Sequence, residues 1–246
     1  MRNTLTRAAL ACGLLTALSA CSPAAQQVST APTPTRPLPT WAQASPSTEA
    51  TAERTALPAV PPNTVDGVFV GDLLPRPLPI QDFTMPGTRG GDLSMSALNG
   101  RWRLVFFGYT HCPDFCPLTL AEYKSVKAHL GELAEQVTFV FISVDGARDT
   151  APVLTEYLAR FDPEFVGFSG DDATLAQIQP DYGFYYRRRV DTTTSAAYLV
   201  DHSTRTYVID PQGEMVASFT YDTSTSDVAS AMRWWIENGS AAAFGG

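Results

Sequence analysis

The stretch Arg103 to Leu120, "RLVFFGYTHCPDFCPLTL", constrains the fold more than any other part of the chain. After Arg103, Leu104 to Tyr109 form a continuous apolar run bounded by polar turns, which fits a central strand buried on both faces. Pro117 then fixes where a helix can begin. Inside a helix, proline deletes one hydrogen bond and clashes with the preceding turn, but at the first helical position it costs little. The helix is therefore predicted to start at Pro117, with Cys116 at or near its cap and Cys112 in the turn before it. Leu120, Tyr123, Val126, Leu130 and Leu133 continue at helical spacing. Both sulfurs then lie near the positive end of a helix dipole, which favours thiolate over thiol.

The segments around this unit repeat the alternation. "LPIQDFTM" and "GDLSMSAL" read as short strands of a hairpin around the turn "GTRGGD". "TFVFISVD" is a second buried strand. "TAPVLTEYLARF" reads as a helix capped by Thr150, with Pro152 in its first turn and Val153, Leu154, Tyr157, Leu158 and Phe161 on one face. "RTYVIDPQGEMVASFT" is a hairpin of Tyr207–Asp210 and Met215–Phe219, and "SDVASAMRWWIEN" is a closing helix with Ser226 as its cap. Strands alternating with helices imply an α/β layer architecture. A strand feeding a cysteine pair at a helix start, followed by a late hairpin and a last helix, matches a thioredoxin-like fold: a central mixed sheet flanked by helices, with an N-terminal β-hairpin.

Ahead of this domain, assigned to residues 65–246, two segments differ in composition. Residues 1–20 carry Arg2 and Arg7 and an uncharged apolar run, Ala8 to Leu18, which is short for a membrane span and suits a secretory signal. The run ends in "LSAC", which resembles a bacterial lipobox and makes Cys21 the expected lipidation site and mature N-terminus. Residues 21–64 form a Pro/Ala/Thr-rich stretch with nine prolines between Ser22 and Pro62 and no apolar periodicity, as in an extended disordered tether. The expected location is the extracytoplasmic, periplasmic side of a bacterial membrane, held by a lipid anchor. The net charge of −8 leaves no basic footprint for nucleic acid.

Of four cysteines, Cys12 leaves with such a signal and Cys21 carries lipid, so Cys112 and Cys116 are the only pair left for chemistry. A bridge between them would close too small a loop to stabilise much, which argues against a purely structural disulfide. Redox exchange and metal ligation remain. Two thiolates are an incomplete metal site, and the chain has three histidines. His111 adjoins Cys112 and should point away from it, and His129 lies on the polar side of a helix. His202, in "YLVDHSTRTYVIDPQG", precedes the hairpin that should pack beside the cysteine strand. Structural zinc usually takes four protein ligands and catalytic zinc three. Two thiolates and an imidazole form a soft, low-coordination set that favours copper, Cu(I) or Cu(II).

"FFGYTHCPDFCPLTL", "FISVDGARDT" and "VDHSTRTYVIDPQG" together resemble the Sco/SenC family, thioredoxin-like factors in copper delivery to cytochrome c oxidase. The resemblance runs from about Leu78 to Glu237. It implies copper ligands at Cys112, Cys116 and His202 and a membrane anchor, which Cys21 would supply. One departure is Gly146, where the family commonly has proline after Asp145. Asp114, Asp145 and Asp149 are expected to cap turns and face solvent rather than to act as ligands.

Two functions follow. The first is a metallochaperone, not an enzyme, that passes one copper to the Cu-A site of cytochrome c oxidase subunit II. The second is a thiol-disulfide oxidoreductase in which Cys112 and Cys116 form the redox pair and reduce the target's cysteines. Another copper chaperone or a thioredoxin-like reductant is a further expected partner. A peroxidase-like activity and a copper or redox sensor are also compatible with the motif.

Overall fold

The computed structural model describes residues 63–190 and 198–245, all within the compact unit Ala56–Gly246. The signal segment, Cys21 and nearly all of the tether lie outside the described residues. Among the described residues, no helix is long and apolar enough to cross a membrane.

In chain order the elements are β1 (Thr64–Val65), β2 (Val68–Phe69), β3 (Asp72–Pro79), β4 (Thr84–Pro86), β5 (Asp92–Ser94), β6 (Trp102–Gly108), α1 (Phe115–Leu130), β7 (Val137–Ser143), α2 (Ala151–Ala159), β8 (Val166–Ser169), α3 (Asp172–Tyr182), β9 (Tyr186–Val190), β10 (Tyr198–His202), β11 (Thr206–Ile209), β12 (Glu214–Phe219) and α4 (Thr225–Asn238). Six strands form the main sheet in the order β3-β12-β11-β6-β7-β8. The apolar runs predicted to be central are central: every residue of β6 and β7 is buried, and the two strands pair in parallel across the α1 crossover. β8 extends the parallel half, and β11, β12 and β3 add antiparallel strands on the other side.

Both faces are covered. Trp102 meets Trp235 of α4 and Phe139 meets Tyr123 of α1, while Phe107, on the opposite face of β6, meets Tyr182 of α3. The architecture is the α/β, thioredoxin-like arrangement that the sequence predicts, with hairpins β1–β2 and β4–β5 on its N-terminal side.

Several boundaries differ from expectation. Helix α1 begins at Phe115, two residues before Pro117. The first-turn N–H groups of a helix have no intrahelical acceptor, so a proline at the third position sacrifices nothing and its φ still fits. The cap of α4 is Ser224 rather than Ser226, because the Ser224 hydroxyl accepts the Asp227 N–H. Val153 is exposed; the buried stripe of α2 is Leu154 and Leu158 alone. The predicted hairpin survives only as the three-residue strands β4 and β5. Leu78 belongs instead to β3, and Ser96–Leu98 is a 3-10 turn. Leu133 lies past α1 in another 3-10 segment, Gly131–Gln136.

Candidate metal centre

At its C-terminal end, β6 delivers Gly108 into a tight turn in which the Cys112 N–H donates to the Tyr109 carbonyl at 3.2 Å. Helix α1 then starts with no side-chain cap from Asp114, the residue at its N-cap. The Cys112 sulfur takes part of that role, accepting the Cys116 N–H at 3.4 Å. Backbone donors at a helix start favour the negatively charged form of sulfur. Gly108 makes room for the second sulfur: a Cβ there would lie 2.8 Å from Cys116 Sγ.

His202 is the last residue of β10, which among the described residues pairs with β9 alone, in a ribbon outside the main sheet. Its ring meets the edges or faces of Phe106 and Tyr109 at near-perpendicular angles. His202 Nδ1 lies 2.8 Å from the Ser203 carbonyl. A carbonyl can only accept, so Nδ1 carries a proton, and Nε2 is the ring nitrogen that faces the sulfurs and is left to serve as a ligand. That atom sits 3.4 Å from Cys116 Sγ and 3.9 Å from Cys112 Sγ, and the three donor atoms lie within 4.8 Å of one another. The two cysteines are not joined by a disulfide.

Their environments push the sulfurs apart. The hydrogen bond from the Cys116 thiol, aided by the His202 ring and then by the N–H groups of Cys116 and Asp114, outweighs burial and brings the Cys112 pKa down to about 4. Burial raises Cys116 well above the ordinary thiol value, and the neighbouring Cys112 thiolate adds to the rise. The pair therefore holds one proton near neutral pH, on Cys116.

The remaining candidates stay outside this cluster. His111 is exposed, with Nδ1 3.0 Å from the Thr110 hydroxyl oxygen. His129 is exposed on α1, with Nδ1 2.7 Å from the Ser125 carbonyl. Asp114 is exposed, as expected, but Asp145 and Asp149 are fully buried rather than solvated. Asp149 accepts the Thr110 N–H, the Thr110 hydroxyl and the Ser143 hydroxyl. Asp145 accepts from Arg148 Nε and from the Tyr198 hydroxyl. Gly146 also has a structural reason: its N–H donates to the Gly170 carbonyl at 3.2 Å, a bond proline cannot make, and a Cβ would come within 2.4 Å of that oxygen. Sequence reasoning passed over Gly108, Arg148 and Tyr198, whose roles depend on contacts distant in sequence.

Comparison with known proteins agrees with this architecture. The profile of the family described as SCO1/SenC matches residues 74–237. A SCO2-like protein of Rickettsia felis is 32% identical over 147 residues, covering 60% of this chain and 72% of that protein. The protein SenC of Rhodobacter capsulatus is 34% identical over 155 residues, 63% of this chain and 69% of its own length. The copper-bound structure of ScoI from Bradyrhizobium japonicum superposes with a TM-score of 0.57 at 34% identity, covering 63% of this chain and 98% of that one. Fold and site thus define a thioredoxin-like protein with a Cys-Cys-His cluster at the end of its central strand. The chain belongs to the SCO1/SenC family.

Proposed function

We propose that this protein is a copper chaperone that binds one copper ion through the Cys112 and Cys116 sulfurs and His202 Nε2. It would deliver that copper to the Cu-A site of cytochrome c oxidase subunit II. The observation that carries the reading is the convergence of two sulfurs and an imidazole nitrogen at the spacing one ion requires. Metal bonds of about 2.3 Å to sulfur and about 2.0 Å to nitrogen, at angles of about 110–120°, separate S from N by about 3.5–3.7 Å. The two sulfur–nitrogen distances here, 3.4 and 3.9 Å, bracket that range. The donor types suit Cu(I) through the thiolates and Cu(II) through the imidazole.

Loading displaces the proton held on Cys116, because ligation needs the thiolate. Release proceeds by stepwise exchange, with acceptor ligands replacing His202 and Cys112 before the fully buried Cys116. A lipid on Cys21 would keep the domain at the extracytoplasmic face of a bacterial membrane, within reach of a membrane-bound acceptor. Cys21→Ser is expected to move the protein from the membrane fraction to the soluble one; retention in the membrane would refute the anchor.

One observation favours a second reading. The unequal sulfurs are an attacking Cys112 thiolate and a protonated Cys116, the arrangement a thiol-disulfide reductase needs. In that reaction the Cys112 thiolate attacks the target disulfide, and Cys116 then releases the second target thiol as the Cys112–Cys116 disulfide forms. A thioredoxin-like reductant would restore the dithiol.

Titration of the reduced protein, Cys112→Ser and His202→Ala with Cu(I) and Cu(II) tests the primary reading. Changing a residue that only supports a metal's ligands typically costs about 10–100-fold in affinity, so loss of a direct ligand in His202→Ala should exceed about 100-fold. The dithiol of that variant should remain reactive. Copper binding as tight as in the wild type would refute the three-donor site.

A further inference from the structure

His202 and the cysteines stand on separate supports. The cysteines follow β6 of the main sheet, whereas among the described residues the backbone ladder of β10 is formed with β9. At its C-terminal end β10 is tied through residues 203–205 to β11, which pairs with β6, and Phe106 and Tyr109 pack on the His202 ring. At its Tyr198 end no ladder among the described residues joins it to the main sheet, and side chains must hold it there. We propose that the loop from Val144 to Thr150 sets the distance between them, with Asp149 holding the cysteine turn and Asp145 and Arg148 clamping Tyr198 at the far end of the His202 strand. This rests on the Cys112–Cys116–His202 copper site and assigns its positioning residues.

The loop follows β7, the strand paired along its length with β6, so its base is as rigid as the core. Buried Asp149 takes both the N–H and the hydroxyl of Thr110, at 2.8 and 2.6 Å, two residues before Cys112. Buried Asp145 faces the ribbon. The Tyr198 hydroxyl donates to its Oδ1 at 2.7 Å, and Arg188 Nε of β9 approaches the same oxygen at 3.8 Å. Arg148 Nε donates to Asp145 Oδ2 at 2.5 Å, and its Nη1 donates to the Tyr198 carbonyl at 3.0 Å. The Arg148 guanidinium carbon lies 3.6 Å from the centre of the Tyr198 ring, a stacked cation–π contact. The Ser143 hydroxyl ties the two halves, donating to Asp149 and accepting the Asp145 N–H.

A planar guanidinium that stacks on a ring and bonds both a carboxylate and a carbonyl is specific to arginine, and lysine cannot reproduce it. The clamp holds Tyr198, four residues from His202, so loosening it lets β10 drift and lowers the fraction of molecules with Nε2 in reach. Apparent affinity falls by that fraction.

The test is a double-mutant cycle on the full chain, with Tyr198→Phe as the mild variant and Arg148→Lys as the charge-conserving one. Each is measured for its Cu(I) dissociation constant in wild-type and His202→Ala backgrounds. Amide exchange of residues 198–202 in the reduced, metal-free protein is followed in parallel. The expected results are a Cu(I) dissociation constant raised about tenfold for each variant in the wild-type background, no change in the His202→Ala background, and faster exchange in β10 but not in β6 or β7. An unchanged dissociation constant in the wild-type background, or an equal change in both backgrounds, overturns the clamp. So does β10 exchange that matches the wild type. If His202→Ala binds copper like the wild type, the copper site itself fails. The exchange arm then still decides whether the loop holds the ribbon.

Discussion

Gly108→Ala puts one methyl group where the Cys116 sulfur rests. The backbone at Gly108 is open to any L-residue, so no conformational strain enters and the contact alone sets the cost. The added Cβ would lie 2.8 Å from Cys116 Sγ, 2.8 Å from Phe141 Cε2 and 2.9 Å from Phe106 Cε1. Ordinary carbon contacts lie at about 3.5–4.0 Å, so the neighbours together must retreat by about 0.6–1.2 Å. Both rings are fully buried and close-packed, so part of that movement falls on the sulfur. Overpacking of this kind typically costs about 1–3 kcal/mol. For a domain of this size that lowers Tm by about 2–12 °C. Displacing one donor beside an imidazole nitrogen 3.4 Å away should also weaken copper binding by about 10–100-fold. Gly167→Ala is the matched control. It drives a Cβ to 2.8 Å from Leu158 Cδ1 and Thr88 Cγ2, in β8, away from the three donors. Thermal melts and Cu(I) competition titrations on both variants separate the effects: both should melt lower, and only Gly108→Ala should lose copper. Wild-type copper affinity in Gly108→Ala, or an equal loss in Gly167→Ala, would show that Gly108 does not set the sulfur position.

Two further outcomes follow from the unequal sulfurs. With its pKa near 4, the Cys112 thiol is already ionised at neutral pH, so its alkylation rate by iodoacetamide should stay nearly flat from pH 6 to 8. The unfolded chain should accelerate close to tenfold per pH unit over the same range; matching slopes would deny the lowered value. By linkage, the depressed Cys112 value stabilises the fold above the unfolded thiol range and loses that contribution as pH falls through about 4. The raised Cys116 value acts oppositely: its contribution is present below the unfolded thiol range and is lost as pH rises through the folded value. Copper must displace the Cys116 proton, so affinity between pH 7.5 and 8.5 should rise about tenfold, one proton per copper. A slope of zero or two in Cu(I) competition assays would contradict a pair that shares one proton.

The strand–turn–helix unit was legible because its signals are local: an apolar run, a proline at a helix start, and apolar residues at helical spacing. The three donors were legible by residue type, since thiolates and a histidine are scarce in this chain. Other elements gave weaker signals. β3 carries Pro75, Pro77 and Pro79, which read against a strand, yet an edge position leaves proline's missing N–H without consequence. β9, "YRRRV", has no apolar alternation because its ribbon stands outside the main sheet, with its arginines paired to Asp201, Asp172 and Asp145. Asp145 and Asp149 read as turn residues, and only their long-range partners explain why both are buried.

By itself the sequence determined which atoms can bind metal, the layer architecture, and a cysteine pair set at the mouth of a helix, because periodicity, proline geometry and side-chain chemistry are local properties. The tertiary structure decided where Nε2 of His202 points, which sulfur keeps the proton, and which buried loop bridges the two supports. The position of Nε2 and the bridging loop depend on contacts between residues 39 to 90 positions apart, and the unequal sulfurs depend on burial, which packing fixes rather than neighbours in the chain.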